Sequence, residues 1–271
     1  MLLGVDVGGT FTDAVLVNNG IIIKQAKVKT TQEEVLQGIL QALDIVLSGN
    51  ELDAISRVVV SSTIVTNALT EGKTEPVFLA VMAGPGMSTK GRFPTEPYLA
   101  EGYVDHRGQI IKKASVNEKI VEAMAAGKAV AAVSGKFAVR NQKNEQDLRV
   151  KLKETGFKKI FMGSEISGEL NFVRRTNSAY FSAAVYNKFK EFIGQVEDSV
   201  RSRGITAQVQ ILKADGGTIP LAAALEQPVE AVFTGPAASV LGIEALDAPS
   251  VNAISLDVGG TTTDIAFWSC G

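Results

Sequence analysis

The sequence predicts an α/β protein with more than one domain, and three observations lead to that prediction. Short apolar runs typical of buried strands alternate with segments whose apolar residues recur at helical spacing. The chain has 271 residues, which is longer than one average domain. One octet occurs twice, near the start and near the end, and each copy lies between two apolar runs, which is the pattern of a β-hairpin.

The repeated octet runs from Asp6 to Asp13 and again from Asp257 to Asp264. The two copies differ only at one position, where Phe11 of the first copy is Thr262 in the second. A Gly-Gly pair permits positive φ and lets backbone N–H groups approach an anion closely. A single copy fits a simple hairpin with nothing bound equally well. Turn geometry does not require Asp and Thr at fixed offsets, however, so the repeat predicts a phosphate site.

The residues of the two octets fall into two predicted roles. Asp6 and Asp257, each placed before its turn, are the predicted catalytic and metal-binding residues, because a carboxylate there can hold hydrated Mg²⁺ against phosphate. The turns supply backbone and hydroxyl donors to phosphate. The predicted cofactor-binding residues of the octets are Gly8, Gly9, Thr10, Thr12, Gly259, Gly260, Thr261 and Thr262. For Asp13 and Asp264 a structural role within the hairpins is favoured over catalysis.

Composition narrows the class of protein. The chain is 45% hydrophobic and 21% charged, which is ordinary for a globular protein, and its formal charge of −2 gives no general attraction to nucleic acid or anionic membranes. The single cysteine, Cys270, cannot form an internal disulfide and favours a reducing compartment. The sequence shows no signal-peptide pattern and no long apolar span. We therefore expect a cytoplasmic protein with neither nucleic acid nor a membrane as partner.

The order of elements in the first part of the chain is predicted to be three strands, a helix, a strand and a second helix. The third strand is predicted at residues 21–23, and a capping-box pattern at residues 30–34 opens the first helix. Residues 57–60 then predict a buried strand, and residues 61–69 a helix.

The middle of the chain predicts a separate α/β subdomain. A strand at residues 77–82 precedes an irregular stretch at 83–108. A strand at 129–133, a helix at 144–155 and a strand at 159–162 then form a βαβ pattern. A long helix is predicted to follow and to run to about residue 203.

The paired Asp-x-Gly-Gly-Thr hairpins resemble the two phosphate loops of the actin, Hsp70 and sugar-kinase ATPase superfamily. Further segments are similar, more specifically, to the A-type subunit of the hydantoinase/oxoprolinase family. These segments are residues 61–69, 161–166, 174–180 and 234–239. The last one adds Gly235, at a helix start, to the predicted cofactor-binding residues.

The resemblance implies an RNase H-like fold of two repeats around a nucleotide cleft, with an inserted α/β subdomain. The implied domains are a first repeat at residues 1–75 and 207–250, the inserted subdomain at 76–206, and a truncated second repeat at 251–271. The chain is accordingly expected to be the N-terminal part of a longer protein and to be inactive alone.

Two departures from the family pattern concern histidines. Ser61-Ser62 stands where the family has His-Gly, and Gly163-Ser164 where it has Ser-His. These departures weaken the transfer of substrate chemistry but leave the ATP site untouched. Arg174 and Arg175 could bind a substrate carboxylate, although a solvated basic pair is the favoured interpretation.

The activity that the resemblance implies is ATP-dependent ring opening of a cyclic amide such as 5-oxoproline or a hydantoin. It also implies ATP and Mg²⁺ as cofactors and a B-type subunit as a possible partner. The alternatives are a nucleotide-dependent switch or activator protein of the same superfamily and an ATP-dependent ketone carboxylase subunit. A kinase is a further alternative, for which Asp215 is the candidate base, but a turn explains Asp215 better.

Overall fold

A computed structural model describes the chain in five stretches, residues 1–30, 35–49, 52–247, 249–259 and 263–269. The chain divides into two compact units. The first unit comprises Met1–Glu71, Asn187–Leu225 and Glu230–Gly271, and the second comprises Gly72–Tyr186 and Glu226–Val229.

The described stretches contain both β-strands and α-helices. The strands are β1 (Leu2–Val7), β2 (Phe11–Asn18), β3 (Ile21–Lys29), β4 (Arg57–Ser62), β5 (Val77–Met82), β6 (Tyr98–Leu99), β7 (Glu101–Val104), β8 (Ile110–Ser115), β9 (Val130–Gly135), β10 (Lys159–Met162), β11 (Gln208–Leu212), β12 (Thr218–Pro220), β13 (Ala253–Val258) and β14 (Thr263–Trp268). The helices are α1 (Val35–Leu47), α2 (Ile64–Thr70), α3 (Glu118–Ala125), α4 (Lys143–Glu154), α5 (Gly163–Ile166), α6 (Phe172–Arg201), α7 (Leu221–Glu226) and α8 (Thr234–Asp247).

The first unit is built on a six-stranded mixed sheet with the order β12-β11-β4-β1-β2-β3. The hairpin β1–β2 and strand β3 form an antiparallel meander, while β4 pairs parallel with β1 and β11 pairs parallel with β4. The parallel register aligns Asp6 with Ser61 and Val7 with Ser62. The first octet therefore lies beside the carboxyl end of β4, where both parallel strands end. The predicted order of three strands, helix, strand and helix is confirmed.

The core of the first unit follows the two-residue period of a strand. Leu3, Val5 and Val7 of β1 are buried, while Gly4 and Asp6 on the opposite face are partly exposed. Helix α1 packs on β1, β2 and β3 and buries an apolar stripe at helical spacing. Burying a leucine or isoleucine of this kind contributes about 1.5–3 kcal/mol to stability. Residues 31–34 of the predicted capping box lie outside the described residues.

The second unit contains a parallel sheet with the order β10-β9-β5-β6. Alternate residues of β5 face two apolar clusters, one with Leu148 of α4 and the other with Ala183 of α6. Strands β5 and β9 are consequently buried along their whole length, as is typical of parallel sheets covered on both faces. The predicted βαβ unit is confirmed as β9, α4 and β10.

Residues 83–108, which the sequence predicts as an irregular stretch, contain the two short strands β6 and β7. Two to four paired residues are too few to produce a periodic signal. Within the described stretches, we find no helix with the length and apolar character needed to cross a bilayer.

Candidate functional site

Both octets line one cavity of about 380 Å³ in the first unit. The octets contribute backbone at the turns and four carboxylates to its wall. The lining residues from the octets are Asp6, Gly8, Gly9, Thr10, Phe11, Asp13, Asp257, Gly259 and Asp264. The two hairpins therefore share a single gap. Gly260, Thr261 and Thr262, predicted ligands in the second turn, lie outside the described residues.

Asp6 lies at the end of β1, where the register places it beside Ser61 of β4. The Ser61 hydroxyl donates a hydrogen bond of 2.6 Å to the Asp6 carboxylate. Burial raises the pKa of Asp6 above its ordinary value, and the nearby carboxylates of Asp13 and Asp257 add to that rise. The bond from Ser61 acts in the opposite direction, because it stabilises the charged form. A cation that reached this carboxylate would relieve the repulsion.

Asp257 and Asp264 form the opposite part of the cavity wall. They are paired in the register of β13 and β14, and the Ser239 hydroxyl of α8 donates a hydrogen bond of 2.7 Å to Asp257. Burial raises the pKa of Asp264, and the charge of Asp257 raises it further. The second hairpin thus repeats the arrangement of the first, in which a serine hydroxyl donates to the leading aspartate.

The start of α8 is fixed to the end of β4 through one threonine. The buried Thr234 hydroxyl accepts from the Ser62 N–H at 2.9 Å and donates to the Ser62 carbonyl at 2.8 Å. This places Gly235 in the cavity wall, with Ser239 one helical turn further on. A Cβ on Gly235 would lie 3.0 Å from a methyl carbon of Thr63. Glycine therefore allows α8 to pack closely against the first residues after β4.

The first turn uses glycine for space rather than for an unusual backbone angle. Neither Gly8 nor Gly9 has a positive φ, contrary to the conformation that glycine would permit. The Gly8 N–H donates to the Phe11 carbonyl at 2.9 Å, and a Cβ on Gly8 would lie 3.0 Å from that oxygen. Within the described residues, the N–H groups of Gly9 and Thr10 have no partner in the protein. These two groups are the donors that the turn offers to an anion.

Thr12 does not line the cavity, although the sequence predicted it as a cofactor-binding residue. Its side chain is fully buried, and its hydroxyl shares a hydrogen bond of 2.7 Å with the Thr30 hydroxyl. Alternation along β2 explains this placement, because residues at even positions face α1 and residues at odd positions face the cavity side. Thr12 therefore stabilises the hairpin from behind.

Four polar lining residues from outside the octets were not among the predicted site residues. They are Lys27, Thr63, Asn67 and Ser239. The spacing of Ser239, four residues after Gly235, could have predicted its position on the same face of the helix. Lys27 was missed because the third strand was predicted only at residues 21–23, whereas β3 continues to Lys29 and pairs Lys27 with Asp13.

The donor set of the cavity fits Mg²⁺ that arrives with phosphate. Mg²⁺ is usually bound by one or two carboxylates together with phosphate oxygens and water. Asp6 and Asp257 offer such carboxylates. Across the part of the chain that the structure describes, no three His, Cys, Asp or Glu side chains cluster closely enough to hold a metal without other ligands. These carboxylates would thus supply only part of a coordination shell.

Two other candidates from the sequence lie outside this cavity. Arg175 is fully buried in the second unit and donates to the carbonyls of Gly135 at 2.7 Å and Glu169 at 2.6 Å. The interpretation of a solvated pair is therefore wrong for Arg175, while Arg174 has an exposed side chain paired with Glu169. Asp215 accepts from the Gly217 N–H at 2.9 Å, which confirms its predicted role as a turn residue.

Two protein-family models match most of the chain. The family model described as "Hydantoinase/oxoprolinase N-terminal region" matches residues 2–156, and the model described as "Hydantoinase/oxoprolinase" matches residues 175–271. The chain is also 25% identical to the acetophenone carboxylase gamma subunit of Aromatoleum aromaticum, over 98% of this chain and 42% of that protein.

Two solved structures have a similar fold. Nucleotide-free acetone carboxylase matches with a TM-score of 0.84 and 20% identity, over 99% of this chain and 44% of that chain. The ATP-dependent caprolactamase from Pseudomonas jessenii matches with a TM-score of 0.75 and 20% identity, over 98% of this chain and 43% of that chain. The predicted α/β fold of the actin-like ATPase type is thereby confirmed. The chain spans less than half the length of these relatives. On the two family models, it belongs to the hydantoinase/oxoprolinase family.

Proposed function

We propose that this chain carries the phosphate-binding part of an enzyme that uses ATP to activate a carbonyl oxygen, with a cyclic amide such as 5-oxoproline or a hydantoin as substrate. The observation that carries the proposal is the shared cavity, which described residues of both octets line. A hairpin that served only as a chain turn would not explain why a matching copy contributes to the same cavity.

The charges of the cavity support a metal-bound nucleotide as its ligand. Asp6, Asp13, Asp257 and Asp264 all line it, so a free polyphosphate would be repelled. Asp6 and Asp257 are the residues proposed to hold Mg²⁺, which would neutralise charge on the transferred phosphoryl group. The raised pKa of Asp6 is consistent with this role, because a cation there would favour the charged carboxylate.

The phosphates themselves would be bound by backbone groups. The N–H groups of Gly9 and Thr10 point to no partner in the described part of the protein, and α8 begins at the cavity wall with Gly235. The N-terminus of a helix of 14 residues carries a partial positive charge that favours anions. We propose the same role for the turn at Gly259 to Thr262.

Substrate chemistry follows from what phosphate transfer does to an amide. A phosphoryl group transferred from ATP to the carbonyl oxygen would make the carbon a better electrophile, so that one water adds to it and the ring C–N bond breaks. A second water would then hydrolyse the resulting acyl phosphate, which yields the ring-opened acid, ADP and phosphate. Membership of the hydantoinase/oxoprolinase family and similarity to a caprolactamase support a cyclic amide.

A ketone carboxylase is the second candidate, and specific observations favour it too. The acetophenone carboxylase gamma subunit and acetone carboxylase both match nearly the whole chain. The same activation of a carbonyl oxygen would serve this reaction, with bicarbonate as co-substrate. Because one of these relatives is a named subunit, we also propose that the protein acts with a second, B-type subunit.

The test is phosphate release by the full-length protein, with and without a candidate B-type subunit. We expect 5-oxoproline, hydantoin or caprolactam to accelerate release and to be opened in proportion to the ATP consumed. Acceleration only by acetone or acetophenone with bicarbonate would favour the carboxylase. Acceleration only by a protein partner would favour a nucleotide-dependent switch. Failure to bind Mg-ATP would overturn all three.

A further inference from the structure

Lys27 brings a basic side chain to a cavity whose other described charged residues are aspartates. Of the described residues that line the cavity, four are aspartates and Lys27 alone is a cation. It lies on β3, directly opposite Asp13 in the strand register. Its position brings a positive charge to the gap that the two octets share.

The Lys27 ammonium is held by two neighbours on the first hairpin. It lies 2.9 Å and 3.0 Å from the two carboxylate oxygens of Asp13. It also lies over the ring of Phe11, at 4.9 Å from the ring centroid. An ammonium over an aromatic face is attracted by the electron-rich ring. Phe11 therefore supports Lys27 at the tip of the hairpin.

The ion pair with Asp13 is exposed and can be exchanged for another anion. The side chains of Lys27 and Asp13 are 60% and 44% exposed. Ion pairs of this exposure contribute little to stability, because water and salt screen them. Lys27 also lines an adjoining cavity of about 980 Å³, so its flexible side chain has space to change direction.

We infer that Lys27 is a phosphate-binding residue of this site, which releases Asp13 and pairs with the nucleotide phosphates while Phe11 continues to support it. The inference rests on the proposed function and adds a residue to it. It also gives a physical reason for the one difference between the octets. Phe11 is aromatic because the first hairpin lies beside a lysine, whereas Thr262 stands at the matching position of the second octet.

The test compares the affinity of the full-length protein and its variants for Mg-ATP by isothermal titration calorimetry. Lys27→Met removes the charge but keeps the length of the side chain, and we expect its Kd to rise on the order of tenfold or more, as for a lost charge-assisted hydrogen bond. Lys27→Arg keeps the charge and should stay within roughly threefold. Lys29→Met is the matched control, since Lys29 lies on the same strand and does not line the cavity.

A second comparison separates phosphate binding from simple neutralisation of Asp13. If Lys27 served only to neutralise that carboxylate, the double variant Lys27→Met/Asp13→Asn would recover the affinity that Lys27→Met loses. We expect no recovery. Recovery, or equal affinity of Lys27→Met and the unaltered protein, would overturn the inference and leave the proposed function standing. If the unaltered protein fails to bind Mg-ATP, both are overturned.

Discussion

Ser61 donates a hydrogen bond of 2.6 Å to the Asp6 carboxylate, across the parallel pair that β4 and β1 form. The family pattern that the sequence resembles has a histidine at this position. The serine therefore provides a neutral donor where a histidine could carry charge. Because Asp6 is partly buried and faces two other carboxylates, this donor is one of the few groups that stabilise its charged form.

Ser61→Ala tests the importance of this donor. Its loss leaves the partly buried Asp6 carboxylate with less stabilisation of its charge, so we expect the Kd for Mg-ATP to rise about five- to tenfold, as for a hydrogen bond worth about 1–1.5 kcal/mol. Calorimetry in the full-length protein measures the change. Ser56→Ala, which removes a hydroxyl bonded to the Met1 carbonyl away from the cavity, is the control and should have no effect.

Replacing Asp6 should separate function from stability. Burial of its charge is unfavourable, as the raised pKa indicates, so Asp6→Asn should unfold at the same or a higher temperature than the unaltered protein. The same variant should lose Mg-ATP binding by a factor of about 100 or more if Asp6 holds the metal. Thermal unfolding and calorimetry on one sample give both values.

Asp257→Asn is expected to behave in the same way toward the nucleotide, because its carboxylate accepts from Ser239 in the matching arrangement. Unchanged affinity in both aspartate variants would contradict the assignment of the metal site. A variant that loses binding and also unfolds at a much lower temperature would indicate a structural role instead.

The packing of α1 on the first hairpin gives a prediction about stability. A Cβ on Gly38 would meet the Thr30 hydroxyl and would lie 3.2 Å from the Thr12 hydroxyl. Gly38→Ala should therefore disturb the buried bond between these threonines and lower the free energy of unfolding by about 1–3 kcal/mol. Urea denaturation measures it. Gly194→Ala in α6, where a Cβ meets nothing within 4 Å, should instead raise stability by about 0.5–1 kcal/mol.

Glu145 gives the second unit a specific dependence on pH. Its buried carboxylate accepts from the N–H groups of Gly135 and Ser164 and from the Ser164 hydroxyl, yet burial dominates and raises its pKa. A raised pKa means that the folded state binds the proton more tightly than the unfolded state. The contribution of Glu145 to stability is therefore complete below the unfolded pKa of 4.5 and is lost as pH rises through the folded value.

Glu145→Gln isolates this contribution, because it removes the titration while keeping the shape of the side chain. The unfolding free energy of the unaltered protein minus that of the variant should fall as pH is raised from about 4, because only the unaltered protein has to bury the charged carboxylate. Urea denaturation at a series of pH values measures that difference. A difference that grows with pH would mean that the hydrogen bonds and the nearby Arg175 outweigh burial.

Local patterns accounted for the parts of the fold that depend on a few consecutive residues. The hairpin at Asp6–Asp13 and the βαβ unit could be predicted from the periodic spacing of apolar residues and from glycine turns. Both signals lie within the segment itself. Buried Arg175 and Glu145 could not be predicted this way, because charged residues are normally exposed and only the tertiary fold brings donors and acceptors to them.

In the candidate site, too, some residues follow from a local motif and others only from the tertiary fold. Asp6 and Gly8 stand in a motif, so the sequence could predict them as site residues, and both line the cavity. Thr12 belongs to the same motif, but strand alternation turns it toward α1. Lys27 reaches the cavity because β3 pairs with β2 in one particular register, and no motif within β3 indicates that pairing.

The two hydrogen bonds between Thr234 and the backbone of Ser62 join α8 and β4 into one framework. The first octet belongs to that framework through β1. The start of α8 and the wall around Asp6 should therefore move as one piece when a ligand enters the gap.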